Sequence, residues 1–325
     1  MPQPRPTTNP YVVQLLRSLE SVPDVTVLTF SWRAALRANY DVFHVHWPEN
    51  LLKGRSRAKG LARRTLTRLL LRRLRQKQIP IVRTLHNLDQ PSGLAKADYR
   101  ILARIDTRTA VRIRLNDLTP IDTGHASETI PHGHYRDWFS PHSQKAPIPG
   151  RLGYFGLIRR YKNVARLVSS AAALPPSFSL RVAGKPSTAE LQAEIENAAD
   201  GDLRITFDFH FLSDPELVEV VTESELVVLP YTEMHNSGSV LAALSLARPV
   251  LVPNNPLNQA LSAEVGPGWV HLYDGELGAD DVASTHAQLA DHPPIGEPNL
   301  GSREWHDAGQ RHLTAYQRAV GISGP

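Results

Sequence analysis

Apolar residues along the 325-residue chain follow two alternating patterns. Short runs rich in Val, Ile and Leu predict strands buried on both faces, and stretches with apolar positions three and four apart predict helices. The first series is a helix at 11–20 and strands at 25–30 and 42–46. A helix through 61–74, a strand at 79–85, a helix at 99–109 and a strand at 111–115 follow. Residues 141–149 (PHSQKAPIP) are Pro-rich and break the pattern, as a linker would. Beyond it, strands at 151–155, 179–183, 204–207, 226–229 and 249–252 alternate with helices at 163–173, 189–198, 214–222 and 239–247. A helix at 302–320 closes the chain. This alternation predicts an α/β fold of two doubly wound, Rossmann-like domains facing a cleft. The expected divisions are 1–140, a linker at 141–150, 151–301, and a terminal helix at 302–325 that packs back on the first domain.

Composition narrows the chemistry. There are no cysteines, which removes disulfides, thiolate metal sites and a cysteine nucleophile and suits a reducing cytoplasm. No apolar run approaches the roughly 20 residues of a spanning helix, and the first ten residues lack the apolar stretch of a secretory leader. The net charge of +4 conceals an asymmetry: residues 1–145 hold 24 Lys/Arg against 11 Asp/Glu, and the remainder 12 against 21. Eleven of the basic residues lie between Lys53 and Lys77. Leu61, Leu66, Leu69, Leu70 and Leu74 recur there at helical spacing among Arg64, Arg68, Arg72 and Arg73, the pattern of a basic amphipathic helix at an anionic membrane. The same leucines are also suited to packing on a sheet. No aromatic residue lies between Leu51 and Tyr99 for stacking bases, so nucleic acid is not the expected partner.

Ligands of open α/β sheets sit at the carboxyl ends of the strands. The strand at 151–155 leaves through Gly156 into Arg159, Arg160 and Lys162 before a helix, and cations at such a turn suit a diphosphate. The strand at 226–229 leaves through a turn carrying Glu233, His235, Asn236, Ser237, Gly238 and Ser239, small residues with free N–H groups at a helix start. Plain helix capping by Asn236 and Ser237 explains that turn equally well. In the first half His46, Trp47, Glu49, His86 and Asp89 fall at or beyond strand ends. His46, Glu49, His86 and Asp89 are the candidates for a general base, Glu49 and His46 first, and Trp47 offers a flat face to a sugar ring. His44 and His46 share a strand face and His132 and His134 are also two apart, but no third ligand accompanies either pair, so no metal site is expected.

The stretches FGLIRRYKN, LRVAGKP, FLSDPELVEVVTESELVVLPY and NSGSVLAALSLARPVLVP, over 151–253, resemble the nucleotide-sugar domain of GT-B glycosyltransferases of the broad group-1 type. NPYVVQLLRSL, DVFHVHWPEN, VRTLHN and IPHGHY resemble the bacterial glycolipid and exopolysaccharide transferases that include the xanthan-type β-mannosyltransferases. The resemblance implies hexose transfer, with mannose favoured, from a GDP- or UDP-sugar to a glycolipid, polyprenyl-linked or saccharide acceptor. It implies no cofactor and no metal, and a protein peripheral on the inner face of the plasma membrane. Two departures stand out. Many group-1 members carry two glutamates that here align with Met234 and Ala242, and their arginine after the glycine is Leu157, so that Arg159 or Arg160 must replace it. A catalytically degenerate GT-B-like binding or scaffold protein therefore stays open as an alternative, with a nucleic-acid binder using 53–77 as a weaker one. Retention and inversion are both compatible with the sequence.

Overall fold

The computed structural model describes residues 9–54, 56–87, 93–122 and 124–323, so Asp89 lies outside the described residues. The chain divides into two compact units, residues 1–133 with 303–325, and residues 134–302.

The first unit holds a parallel sheet of β1 (Phe43–Val45), β2 (Ile81–Leu85), β3 (Thr109–Arg114) and β4 (Ala126–Thr129), in that order. Around it lie α1 (Pro10–Glu20), α2 (Trp32–Arg37), α3 (Arg57–Gln76), α4 (Lys96–Thr107) and the C-terminal helix (Trp305–Ser323). Alternation along β2 sends Val82 to one face and Ile81 to the other. Val82, Val111 and Ile113 pack with Tyr11, Leu15, Ala308 and Ala315 of α1 and the C-terminal helix. Ile81 and Val45 pack with Leu70, Leu74, Ile101 and Ile105 of α3 and α4. The expected strand at 25–30 is absent: Val25 and Val27 pack against the core, Leu28 and Phe30 face outward, and no ladder pairs that segment.

In the second unit α5 (Arg136–Phe139) precedes the strands β5 (Arg151–Phe155), β6 (Ser179–Ala183), β7 (Ile205–Asp208), β8 (Leu226–Val228), β9 (Val250–Pro253) and β10 (Val270–Tyr273). Helices α6 (Val164–Ala172), α7 (Ala189–Ala198), α8 (Asp214–Glu223), α9 (Gly238–Ser245), α10 (Pro256–Val265) and α11 (Ala279–Asp291) alternate with them. The last strand and the helices on either side of it, α10 and α11, are elements that the apolar pattern did not single out. All strands are parallel in the order β10-β9-β8-β5-β6-β7. The chain runs outward from β5 to β7 and returns to place β8 on the other side of β5. That reversal is the switch point of the sheet, where the two departing loops separate and leave room for a ligand.

The division between units falls after Gly133 rather than in the Pro-rich stretch. Tyr135 and Phe139 belong to the second core, and the Tyr135 N–H donates to Ser245 Oγ at 2.8 Å. Proline content marked an exposed segment, but the boundary follows burial. The C-terminal helix belongs to the first unit from Arg303 onward.

Candidate active site

The loop after β5 turns at Gly156, whose φ of +103° suits a residue without a Cβ. Gly184, at the end of β6, lies against it so closely that a Cβ there would sit 1.9 Å from the Gly156 carbonyl oxygen. The chain then forms a short 3-10 turn over Arg160–Lys162 and enters α6 through Asn163 in the left-handed region. This turn is tied to the neighbouring strand exit, because the Thr232 N–H and hydroxyl both donate to the Tyr161 carbonyl, at 2.8 and 3.0 Å. Lys162 is buried and its ammonium stands 4.7 Å from the centre of the Tyr231 ring. The Tyr231 hydroxyl in turn donates to Ser239 Oγ at 3.2 Å.

Both loops therefore meet above Gly156. A Cβ built there would lie 3.7 Å from Ser239 Oγ and 3.9 Å from Lys162 Nζ. Ser237 caps α9, its side chain accepting from the Val240 N–H, and Asn236 has a φ of +48°. Burial, with repulsion from Arg159 second, lowers the Lys162 ammonium to about 8. No carboxylate among the described residues pairs with it. A desolvated cation, two serines, a helix start and a glycine come together in an arrangement suited to an anion.

In the first unit the strand tips gather a second cluster. His46 Nδ1 and His86 Nε2 share a hydrogen bond of 3.0 Å. His44 bonds Thr84 Oγ1 and the Tyr316 hydroxyl, each at 2.8 Å. Trp47 stacks on His86 at 4.2 Å between ring centres, and Tyr11 sets its edge against His46, His86 and Trp305. Burial keeps these imidazoles neutral: His46 is lowered to about 3, His132 and His312 to about 4, and His44 and His86 lie well below the ordinary value.

No family model matches the chain. Two relatives from Xanthomonas campestris pv. campestris, both called GDP-mannose:glycolipid 4-beta-D-mannosyltransferase, are 43% identical over 324 residues, 99% of this chain and 92% of theirs. The chain belongs to their glycosyltransferase family. Among solved structures, AviGT4, a glycosyltransferase of avilamycin A biosynthesis, aligns over 96% of this chain and 89% of its own (TM-score 0.56, 14% identity). Anabaena HepE in complex with UDP aligns over 80% and 74% (TM-score 0.53, 16% identity). The fold of this glycosyltransferase is GT-B.

The structure places Gly156, Lys162 and Ser239 of the glycosyltransferase around one point and Ser237 and Gly238 at the adjoining helix start. Arg159 is exposed beside Lys162, whereas Arg160 pairs with Glu194 at 2.8 Å on the surface. Glu233 is exposed on the same turn and His235 is partly buried. Glu49 is buried on a 3-10 turn (Pro48–Leu51) and forms no ion pair with a described residue. One face of Trp47 is already covered by His86.

The basic helix needs correction. Its inward face is Thr67, Leu70, Leu71 and Leu74, while Leu61 and Leu69 are exposed, since the buried row at helical spacing includes a threonine that a count of leucines passes over. Arg64 is not a free surface cation: its Nε and one terminal nitrogen fork Asp98 at 2.6 and 2.8 Å. Arg73 donates to the Ala35 and Ala38 carbonyls and lies over the Tyr40 ring. Arg68 and Arg72 face solvent. Among the described residues no helix is long and apolar enough to cross a membrane, and no group of three or more His, Asp or Glu is arranged to hold a metal. Sequence reasoning missed Tyr231 beneath Lys162 and the Tyr11, Tyr316 and His312 surround of the histidines. The last three are far from β1 and β2 in the chain, where spacing gives no signal.

Proposed function

We propose that the protein transfers a mannosyl residue from GDP-mannose to a lipid-linked glycan, with inversion at the anomeric carbon. The reading rests on near-full-length identity to proteins named for that reaction, and the meeting of Lys162 and Ser239 over Gly156 supports it. An α-configured donor giving a β-mannoside must invert. The donor diphosphate lies over Gly156, held by Lys162, Arg159, Ser239 and the N–H groups that open α9. As the glycosidic bond to the donor breaks, these groups meet the charge that develops on the leaving GDP, so the protein's own cations suffice and a chelator leaves the rate unchanged. Glu233 hydrogen-bonds donor hydroxyls. The exposed face of α3, with Arg68 and Arg72 beside Leu61 and Leu69, rests on the anionic cytoplasmic leaflet and brings the enzyme to its acceptor.

The test is a turnover assay with GDP-mannose, GDP-glucose and UDP-glucose against lipid-linked oligosaccharides from a bacterial extract. Transfer from GDP-mannose, with a product cleaved by β-mannosidase, is expected. Transfer from a UDP-sugar alone, or an α-linked product, overturns the reading. GDP-mannose binding without turnover on any acceptor would instead identify the degenerate scaffold.

A further inference from the structure

The histidine pair at the tips of β1 and β2 can be assigned roles, on the reading that the protein is an inverting transferase. Two neutral imidazoles joined by a single hydrogen bond admit two arrangements. Either His46 Nδ1–H donates to His86 Nε2, or His86 Nε2–H donates to His46 Nδ1. The choice fixes the other nitrogen of His46. In the first arrangement Nε2 is a bare lone pair; in the second it carries a proton and can only donate. Nε2 of His46 has no hydrogen-bond partner among the described residues, and the side chain is partly exposed. Of the two His46 nitrogens it is the one left for an incoming hydroxyl.

We infer that His46 is the general base that takes the acceptor proton at Nε2, and that His86 is a positioning residue whose Nε2 accepts the His46 Nδ1 proton and holds that tautomer. In the step, the acceptor O–H bond breaks and its proton passes to His46 Nε2. The oxygen forms its bond to the anomeric carbon, and the electron pair of the broken sugar–phosphate bond leaves on the diphosphate. The resulting imidazolium strengthens its bond to His86, because a charged donor bonds more strongly than a neutral one. Stacking of Trp47 on His86 and the Tyr11 edge against both rings fix the pair in place.

The surroundings favour a base that is neutral at rest. Among the described residues the groups acting on the pair are His44 on β1, Arg83 on β2, His132 after β4 and His312 on the C-terminal helix, with the Tyr11 ring against both imidazoles and the Tyr316 hydroxyl bonded to His44. These described neighbours are cations or groups that become cationic on protonation, together with neutral phenols, and none of them is a carboxylate. A resting imidazolium is disfavoured, and the lone pair persists into acid solution. Glu49, buried one turn beyond, has no side-chain partner of this kind among the described residues.

Four variants and one spectrum test the assignment. His46→Ala should lower kcat by a factor of roughly 100 or more, with GDP-mannose affinity by calorimetry unchanged. His86→Leu should lower kcat about tenfold or more at unchanged KM for both substrates, and His86→Gln, whose amide oxygen can accept from Nδ1, should recover most of that loss. Glu49→Gln should keep kcat within a few-fold. The 15N shifts of the wild-type His46 ring should report Nδ1 protonated and Nε2 bare, a readout that needs no variant to fold. The kcat/KM of the wild type should stay level as pH falls from 7 to 5, without the half-loss near 6.5 of an ordinary histidine base. A protonated Nε2, equal rates for the His86 leucine and glutamine variants, or a His46→Ala enzyme above one tenth of the wild-type kcat overturns the assignment. Failure of the wild type to bind or use GDP-mannose would defeat the donor reading instead, and the ring spectrum would still decide the tautomer.

Discussion

Replacing Lys162 with methionine removes the cation at the proposed donor site and keeps much of its apolar stem. Burial and Arg159 bring the ammonium from 10.5 to about 8. At about 1.4 kcal/mol per unit, the charged side chain costs the empty fold on the order of 3 kcal/mol. The contact with the Tyr231 ring returns about 1 kcal/mol. The sign follows from proton counting: between the folded value near 8 and the unfolded value near 10.5 the unfolded chain holds more protons, so stability rises with pH across that window. Below pH 8 the penalty is fully present. Lys162→Met should therefore stabilise the empty second unit at pH 7 by about 2 kcal/mol, raising its Tm by roughly 4–8 °C, and the advantage should vanish above pH 10.5. GDP at a hundred times its Kd should stabilise the wild type by about 2.7 kcal/mol and the variant hardly at all. Differential scanning calorimetry with and without GDP measures both effects. A variant no more stable than wild type at pH 7, or one with an undiminished GDP shift, refutes the view that an unpaired buried cation is kept for the ligand.

Two further outcomes can be checked in the same protein. Arg68→Gln with Arg72→Gln should weaken binding to vesicles containing anionic lipid by about 1 kcal/mol per charge removed, roughly fivefold each, with GDP affinity unchanged; vesicle co-sedimentation measures it, and unchanged partition removes α3 as the contact face. Gly184→Ala, which drives a Cβ into the Gly156 carbonyl, should cost more than about 3 kcal/mol by urea unfolding or leave no soluble protein. Gly156→Ala meets only the Ser239 hydroxyl and Lys162 ammonium at contact distance, so it should fold with a strain of about 1–2 kcal/mol and lose GDP affinity.

The meeting of the two loops of the proposed donor site was readable because each half of it is local. A glycine followed by cations, and a tyrosine turn followed by small residues, are strings that sit at strand ends, and the switch point places one beside the other. The histidine cluster was readable only in part. His46 and His86 stood out as strand-end residues, but their hydrogen bond needs β1 beside β2, and Tyr316 reaches His44 across 272 positions of chain. The segment 25–30 shows why alternation alone is insufficient. It describes which residues are covered, and Val25 and Val27 are, whereas a strand also needs a partner for its backbone groups. The basic helix misled in the same way: charge density suggested a uniform cationic face, and Asp98 and the carbonyls of α2 and the turn after it claim two of its arginines.

The missing acid at Ala242 also has a consequence for recognition. Residues 240–245 of α9 are all buried, and Ala242 is 5% exposed within that core helix. On the turn from Pro230 to Ser239 the one carboxylate is Glu233. On the proposed placement of the donor it is met by Lys162, Arg159, Ser237, Ser239 and backbone N–H groups, which complement phosphate oxygens, and by a single acid for all the hydroxyls of ribose and sugar. A site so composed draws its affinity from the diphosphate. GDP and GDP-mannose should accordingly bind the free enzyme with Kd values within a few-fold of each other, and sugar selectivity should emerge in kcat, where interactions made only in the transition state are expressed. A GDP-mannose affinity more than tenfold above that of GDP in calorimetry would mean that side chains outside these two loops hold the sugar.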